Sequence, residues 1–275
     1  MNYQEAYEEG IRRLILAQIA DAELDARYLL EEVCQTDRTA LYVHKDRTLS
    51  ENEKEKYLAG IGRREQHEPL QQILGFTEFM GLRFLVTNQV LCPRQDTEIL
   101  VEEVMRYLQD GSRILDMCTG SGCILLSLLH YSNQCIGTGA DISPEALSVA
   151  RQNADNLELE AAWIQSDLFE KISGEYEYIV SNPPYIPEEE LKGLMPEVRD
   201  HEPHIALSGL EDGLFYYHSL IPAAREHLCG GGMLFLEIGY QQAEDVTRLM
   251  QESGYREITV KKDLAGLDRV VYGMR

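Results

Sequence analysis

The chain has 275 residues, with 47 Asp and Glu against 25 Lys and Arg, for a formal net charge of −22. At 44% hydrophobic and 26% charged the composition is that of a globular protein, which excludes general disorder, and the length suits about two domains. So acidic a surface repels phosphate backbones, which disfavours nonspecific binding to nucleic acid or to an anionic membrane.

Met1 to Gly10 contain no Lys or Arg, so no basic leader is read there. The six cysteines are scattered without a C-x-x-C pair, which points to reduced thiols, a cytoplasmic location and no metal site. Arg12–Arg13, Arg63–Arg64 and Lys261–Lys262 are short basic runs, expected on solvated edges. Residues 1–70 read as a helical bundle. Tyr7, Ile11, Leu14, Ile15 and Ile19 form one amphipathic stripe. Asp21 is the expected cap of a second helix carrying Leu24, Tyr28, Leu29 and Val33. Ser50 and Glu53 form a capping box opening a third helix to about Arg64. Over 71–92 the period changes. Apolar runs at Gln72–Phe79 and Leu82–Val86, with a third at Val90–Cys92, predict a β-hairpin joining two domains.

A helix is expected from about Asp96, carrying Ile99, Leu100, Val104 and Leu108. From Arg113 onward strands and helices alternate. Strands are expected at Ile114–Met117, Cys135–Ala140, Ala161–Gln165, Tyr176–Ser181, Met233–Ile238, Ile258–Lys261 and Arg269–Tyr272. Repeated βα units predict an α/β, doubly wound, mostly parallel sheet over 93–275, with its ligand beyond the carboxyl ends of the strands.

Four strand ends carry the chemistry. Asp116 to Gly122 is a strand followed by a glycine turn and a helix, which brings backbone N–H groups close to a ligand. Cys118, Thr119, Gly120, Ser121 and Gly122 are its candidate contacts. No Gly-Lys-Ser/Thr follows, which disfavours a P-loop, and the G-x-G-x-x-G spacing is missing. Asp141 ends the next strand, where an acid can accept hydrogen bonds from a ribose diol, or can belong to a capping turn with Ser143. Ser166-Asp167-Leu168-Phe169 pairs polar and apolar types suited to an adenine. The sharpest signal is Asn182-Pro183-Pro184-Tyr185. Two prolines remove backbone donors, so the Asn182 and Pro183 carbonyls and the Asn182 side-chain oxygen remain as acceptors, beside the flat face of Tyr185. A planar NH2 group needs such a corner.

Taken in this order, these four strings resemble a class I S-adenosylmethionine-dependent methyltransferase acting on a planar nitrogen. Further strings narrow the resemblance to the release-factor glutamine methyltransferase family (PrmC, formerly HemK) over essentially the whole chain. They are Glu68-Pro69-Leu70-Gln71 with Ile73-Leu74-Gly75, Pro93 to Glu98, Glu202-Pro203 with Ala206-Leu207, Asp212-Gly213-Leu214, Glu237-Ile238-Gly239, and Asp263 to Gly266 with Asp268-Arg269. The resemblance implies a seven-stranded Rossmann-like sheet with a reversed final strand, behind an N-terminal helical domain that recognises the substrate. It also implies S-adenosylmethionine as cofactor, S-adenosylhomocysteine as product, and no metal. The implied activity is N5-methylation of the glutamine in the Gly-Gly-Gln loop of class 1 peptide chain release factors. Asn182, Pro183 and Tyr185 would be catalytic, and Asn182 to Tyr185 would bind substrate. Cys118 to Gly122, Asp141, Asp167, Leu168 and Asn182 would bind the cofactor. Three departures stand out: Cys118 where a glycine often opens the loop, Gln95 for a frequent proline, and Leu210 for a common second glycine. A Cβ at 118 limits φ, so the loop is expected to meet its ligand through Gly120 and Gly122.

The same acceptor corner would serve a flipped adenine in an N6-specific nucleic-acid methyltransferase. The charge opposes that, and the residues after Tyr185 are already committed to the sheet, leaving no target-recognition domain. A noncatalytic cofactor-binding scaffold is disfavoured because the acceptor turn is complete.

Overall fold

The computed structural model describes all residues, Met1–Arg275, and they form two compact units. One comprises Met1–Gly75 with Met195–His201; the other comprises Phe76–Leu194 with Glu202–Arg275.

The first unit is helical: α1 (Tyr3–Leu16), α2 (Ala22–Cys34), α3 (Arg38–Val43), α4 (Glu51–Arg64) and α5 (Leu70–Leu74), together with a short helix at Pro196–His201. Ser50 and Glu53 make the expected capping box at the start of α4. Asn2 and Glu5 make a second one at α1. Asp21 precedes α2 but makes no side-chain cap.

The buried faces overlap the apolar stripes and extend beyond them: Leu14, Ile19 and Leu29 are buried, and Tyr7, Ile11 and Val33 pack against the same core. Helix α1 buries Tyr3, Ala6, Gly10 and Leu14 and leaves Ile15 58% exposed. Helix α2 buries Ala22, Asp25, Ala26, Leu29 and Leu30, with Leu24 and Tyr28 turned outward. Small residues make these contacts because they let side chains of the neighbouring helix come close: Tyr57 of α4 packs directly on Gly10. Arg64 is not a solvated edge. It is buried, with Nε 2.6 Å from Asp25 Oδ2 and Nη2 2.9 Å from Glu197 Oε1, which compensates the buried Asp25 carboxylate.

The strand expected to begin at Gln72 is displaced. Residues 70–74 form α5, Gly75 stops it in the left-handed region, and the hairpin is β1 (Phe76–Phe79) paired with β2 (Leu82–Leu85). Val90–Cys92 is not a strand. Phe79 and Phe84 of the hairpin are buried in the core of the second unit.

That unit continues with α6 (Gln95–Met105), β3 (Arg113–Met117), α7 (Cys123–Tyr131), β4 (Ile136–Asp141), α8 (Pro144–Asn156), β5 (Ala161–Gln165) and β6 (Tyr176–Ser181). After the short α9 (Glu188–Leu191) come α11 (Phe215–His227), β7 (Leu228–Glu237), α12 (Ala243–Glu252), β8 (Arg256–Lys262) and β9 (Asp268–Met274), the helix at Pro196–His201 in the first unit counting as α10. The seven-stranded sheet has the order β5-β4-β3-β6-β7-β9-β8, and only β9 runs against its neighbours. The chain leaves β3 for one edge and returns through β6 toward the other. The order therefore reverses between β3 and β6, where a doubly wound sheet opens a crevice at its carboxyl edge.

One core cluster packs α6 and α7 against the sheet; another packs α11 and α12. No helix is long and apolar enough to cross a membrane, and all six cysteines are free.

Candidate active site

The carboxyl ends of β3, β4, β5 and β6 are tied together by short polar contacts. Ser181 Oγ donates to the Met117 carbonyl at 2.6 Å, joining β6 to β3. Thr119 N–H donates to the Ala140 carbonyl, and Ser166 N–H to the Asp141 carbonyl, each at 3.0 Å. Asn153 of α8 is fully buried. It donates to the Ser121 carbonyl at 2.9 Å and exchanges hydrogen bonds with Leu85, which fixes the back of the glycine turn.

These ends surround a cavity of about 210 Å³. Its wall includes Cys118, Thr119, Gly120 and Ser121 after β3, Asp141 at the end of β4, Asp167 and Leu168 after β5, and Asn182 and Pro184 after β6. Three expected site residues stand outside that wall. Gly122 begins α7, where an added Cβ would stand 3.0 Å from the Trp163 ring, so its contact is with the fold. Pro183 is buried. Tyr185 is part-buried and gives its hydroxyl to Glu237 Oε1 at 3.3 Å, so the stacking face expected of it is not turned to the cavity. Phe169 also turns away, stacking on His227 at 5.0 Å.

Cys118 meets its family departure directly. It adopts φ +60, the left-handed conformation that favours glycine, and still lines the cavity. Leu168 does the same at φ +43. Each costs about 1–2 kcal/mol of backbone strain, of the kind that collects where a ligand site dictates the turn. Burial pushes the Cys118 thiol well above its ordinary range, so it stays neutral.

Asp141 makes the capping-turn contact with Ser143 and also faces the cavity. Oδ1 accepts from Ser143 N–H and Oδ2 from Gly120 N–H, each at 2.9 Å. Each carboxylate oxygen can accept a second bond, and Asp141 lines the cavity. Burial, opposed by these backbone donors, raises its pKa. Beneath it, fully buried Asp116 accepts from the Thr119 hydroxyl at 2.6 Å, and burial pushes its pKa up to about 7.

The cavity also uses residues to which no role was assigned. Thr97 lines it and accepts from Asn182 Nδ2 at 3.4 Å. Arg94 lines it with Nη2 2.7 Å from both oxygens of Glu202. Pro203, Ile205, Ala206 and Phe215 complete one side. Arg94 and Thr97 fall in the string from Pro93 to Glu98, and Pro203 and Ala206 in Glu202-Pro203 with Ala206-Leu207, but strings alone carry no geometry; Ile205 and Phe215 fall in none.

Comparison with known proteins agrees with this architecture. Residues 5–75 match the PrmC N-terminal domain and residues 94–195 the methyltransferase small domain. A release factor glutamine methyltransferase of Geobacter sulfurreducens is 40% identical over 93% of this chain and 90% of its own. One from Koribacter versatilis is 38% identical over 100% of this chain and 99% of its own. The crystal structure of a methyltransferase from Pyrococcus furiosus superposes with a TM-score of 0.54 over 82% of this chain and 98% of its own; at 15% identity it speaks for the fold alone. With relatives this similar along nearly their whole length, a sheet of this order and a cavity at its carboxyl edge, the chain belongs to the release factor glutamine methyltransferase family.

Proposed function

We infer that this protein methylates the side-chain amide nitrogen of the glutamine in the Gly-Gly-Gln loop of class 1 peptide chain release factors, with S-adenosylmethionine as methyl donor. The observation that carries the reading is the turn Asn182-Pro183-Pro184-Tyr185, whose Asn182 and Pro184 open into the cavity that holds Asp141 and Gly120.

The residues present fit that donor. Asp141 keeps acceptor capacity for ribose hydroxyls, Gly120 and Ser121 bring backbone to the cavity, and Leu168 and Ile142 supply apolar walls. Asp141→Ala is expected to weaken S-adenosylmethionine binding by about 2 kcal/mol, roughly 30-fold, in calorimetric titration. The rate at saturating donor should change far less. Unchanged affinity would remove Asp141 from this role.

When bound, S-adenosylmethionine supplies an electrophilic methyl carbon on a sulfonium, so the difficulty lies with the amide, whose lone pair is delocalised. Asn182 Oδ1 and a main-chain carbonyl of the turn accept the two N–H groups of the glutamine amide. They aim its nitrogen and stabilise the positive charge that develops on it. Alignment can lower the barrier by up to about 7–11 kcal/mol. Held by these acceptors, the amide nitrogen would take the methyl group, the carbon–sulfur electron pair would stay with sulfur, and the surplus proton would pass to water. Tyr185 supports this turn from beneath through Glu237 rather than by stacking on the amide.

The test is direct. Incubation with labelled donor and either an unmethylated class 1 release factor or DNA should label the protein alone, and peptide mass spectrometry should find one methyl group on the Gly-Gly-Gln glutamine. Label in DNA alone would overturn the reading.

Residues 1–70 are proposed to dock the release factor outside that loop. A groove in the helical unit, lined by Tyr7, Ile11, Leu30, Arg38, Tyr42 and Lys45, supports this, since it combines apolar surface with basic charge in an acidic chain. Tyr42, 84% exposed, offers an aromatic contact. Tyr42→Ala should raise KM for intact release factor about tenfold and leave kcat unchanged; an unaltered KM would sink the assignment.

A further inference from the structure

An asparagine can present either end of its carboxamide, and only the oxygen end accepts an N–H. The groups that choose between the ends lie behind Asn182. Its Nδ2 donates to Thr97 Oγ1 at 3.4 Å. Thr97 is buried in the first turn of α6 and neighbours the carboxylate of Glu237 at the end of β7. Glu237 is 2% exposed. Its Oε1 accepts from the Tyr185 hydroxyl, its buried Oε2 has no hydrogen-bond partner, and the Thr97 hydroxyl is the neighbouring donor that favours the ionised form.

We propose that Glu237 and Thr97 form a positioning relay that holds the Asn182 carboxamide with its oxygen toward the substrate, and that protonation of Glu237 reverses it. The proposal rests on the reading of Asn182 as acceptor for the glutamine amide.

Proton counting sets the polarity. A hydroxyl has one proton and an ionised carboxylate has none. In this relay the Thr97 proton goes to Glu237 Oε2, the buried carboxylate oxygen without a partner, and the Thr97 oxygen can then only accept from Asn182. That contact takes Nδ2 and leaves Oδ1 for the cavity. A protonated Glu237 is itself a donor. It can give its proton to Thr97, whose hydroxyl then turns to Asn182 Oδ1 and swings Nδ2 outward, against the substrate N–H groups.

The surroundings bear on the same proton from every side. Arg269 of β9 favours the ionised form, and Asp96 of α6 opposes it. Arg269 is shared with Asp263 at 3.0 Å and Asp96 at 3.4 Å. Tyr217 of α11 donates to the Glu237 main-chain carbonyl at 2.8 Å, and Cys123 of α7 stands within electrostatic reach. Burial is the largest influence and pushes the pKa up to about 7. Methyl transfer should therefore rise as pH increases through about 7, where Glu237 ionises, and fall below it.

The experiment is single-turnover methyl transfer to unmethylated release factor at saturating S-adenosylmethionine, from about pH 6 to about pH 9, for Thr97→Val, Thr97→Ser and Glu237→Gln. Thr97→Val should lower kcat roughly 10- to 100-fold, flatten the acidic limb, and leave donor affinity and KM nearly unchanged. Thr97→Ser should restore both rate and limb, which a merely structural role for Thr97 would not require. Glu237→Gln, with its added donor, should resemble Thr97→Val. Should that buried substitution fail to fold, the Thr97 pair decides alone, with donor binding as the check on folding. Wild-type kcat and an intact acidic limb in Thr97→Val would overturn the relay. Asn182→Ala separates the two levels: inactive Asn182→Ala beside normal Thr97→Val rejects the relay only, whereas active Asn182→Ala rejects the acceptor reading beneath it.

Discussion

Asn182→Ala is expected to lower single-turnover methyl transfer about 10³-fold while S-adenosylmethionine affinity stays within about threefold. Removal of one preorganised partner of a developing charge costs about 10²–10³ in related chemistry. Here the same truncation also releases one of two N–H groups that aim the nitrogen. The loss should fall on kcat, because the amide is held most strongly once its nitrogen turns positive. Cofactor affinity should survive, since Asp141, Gly120 and Leu168 line the cavity independently of this side chain. A rate within tenfold of wild type would show that Asn182 does not carry the chemistry.

The second large effect comes from a residue that touches no ligand. Gly213→Ala should destabilise the protein by about 4 kcal/mol, in the range reserved for forced rearrangements. At this size that lowers Tm by roughly 10 °C. Gly213 has φ +76, and an added Cβ would meet the Tyr185 carbonyl oxygen at 2.3 Å and Gln242 Nε2 at 2.6 Å. Those atoms cannot simply move aside. Gln242 Nε2 donates to the Tyr185 and Gly213 carbonyls at 3.0 and 3.1 Å. The chain at 207–210 also pairs with 186–188 through Ile186 N–H to Leu207, Gly209 N–H to Ile186 and Glu188 N–H to Leu210. Any shift therefore passes into the acceptor turn, and a displacement of about 1 Å there can cost 10²-fold in rate. Gly111→Ala is the control. It shares a positive φ, +78, but a Cβ there has nothing within 4 Å, so only about 1 kcal/mol of backbone cost is expected. Equal melting temperatures for the two variants would contradict the packing argument.

Much of this architecture was legible in the residues because the signals are local. Strand β5 spans the expected Ala161–Gln165 and β6 the expected Tyr176–Ser181. Alternation of strands and helices then dictated a parallel sheet and a crevice at its carboxyl edge. What escaped was set by contacts distant in sequence. The stripe of α1 found Leu14 but not Ala6 and Gly10, which carry no hydrophobic signal, although Tyr57 packs where Gly10 has no side chain. Arg64 read as a surface charge because Asp25, 39 residues away, is its partner.

The site divides in the same way. Residues Cys118 to Ser121, Asp141, Asp167, Leu168, Asn182 and Pro184 were placed by their positions at strand ends, and the fold brings them to one cavity. Tyr185 was placed by its chemical type, but its direction depends on Glu237, 52 residues later, and on the strip that grips its carbonyl. The family departures at Cys118 and Leu210 proved to be conformational: both residues occupy positive φ, +60 and +63, without a glycine. A side chain tolerated in a strained conformation leaves no pattern to read in one sequence.

The most direct test of the central claim is a crystal structure with S-adenosylhomocysteine and a release factor bearing its Gly-Gly-Gln loop. The account predicts the glutamine amide nitrogen about 3 Å from Asn182 Oδ1, with the sulfur facing it across the space the methyl group would fill. A glutamine bound elsewhere, or Asn182 turned with its nitrogen toward the amide in the active complex, would contradict it.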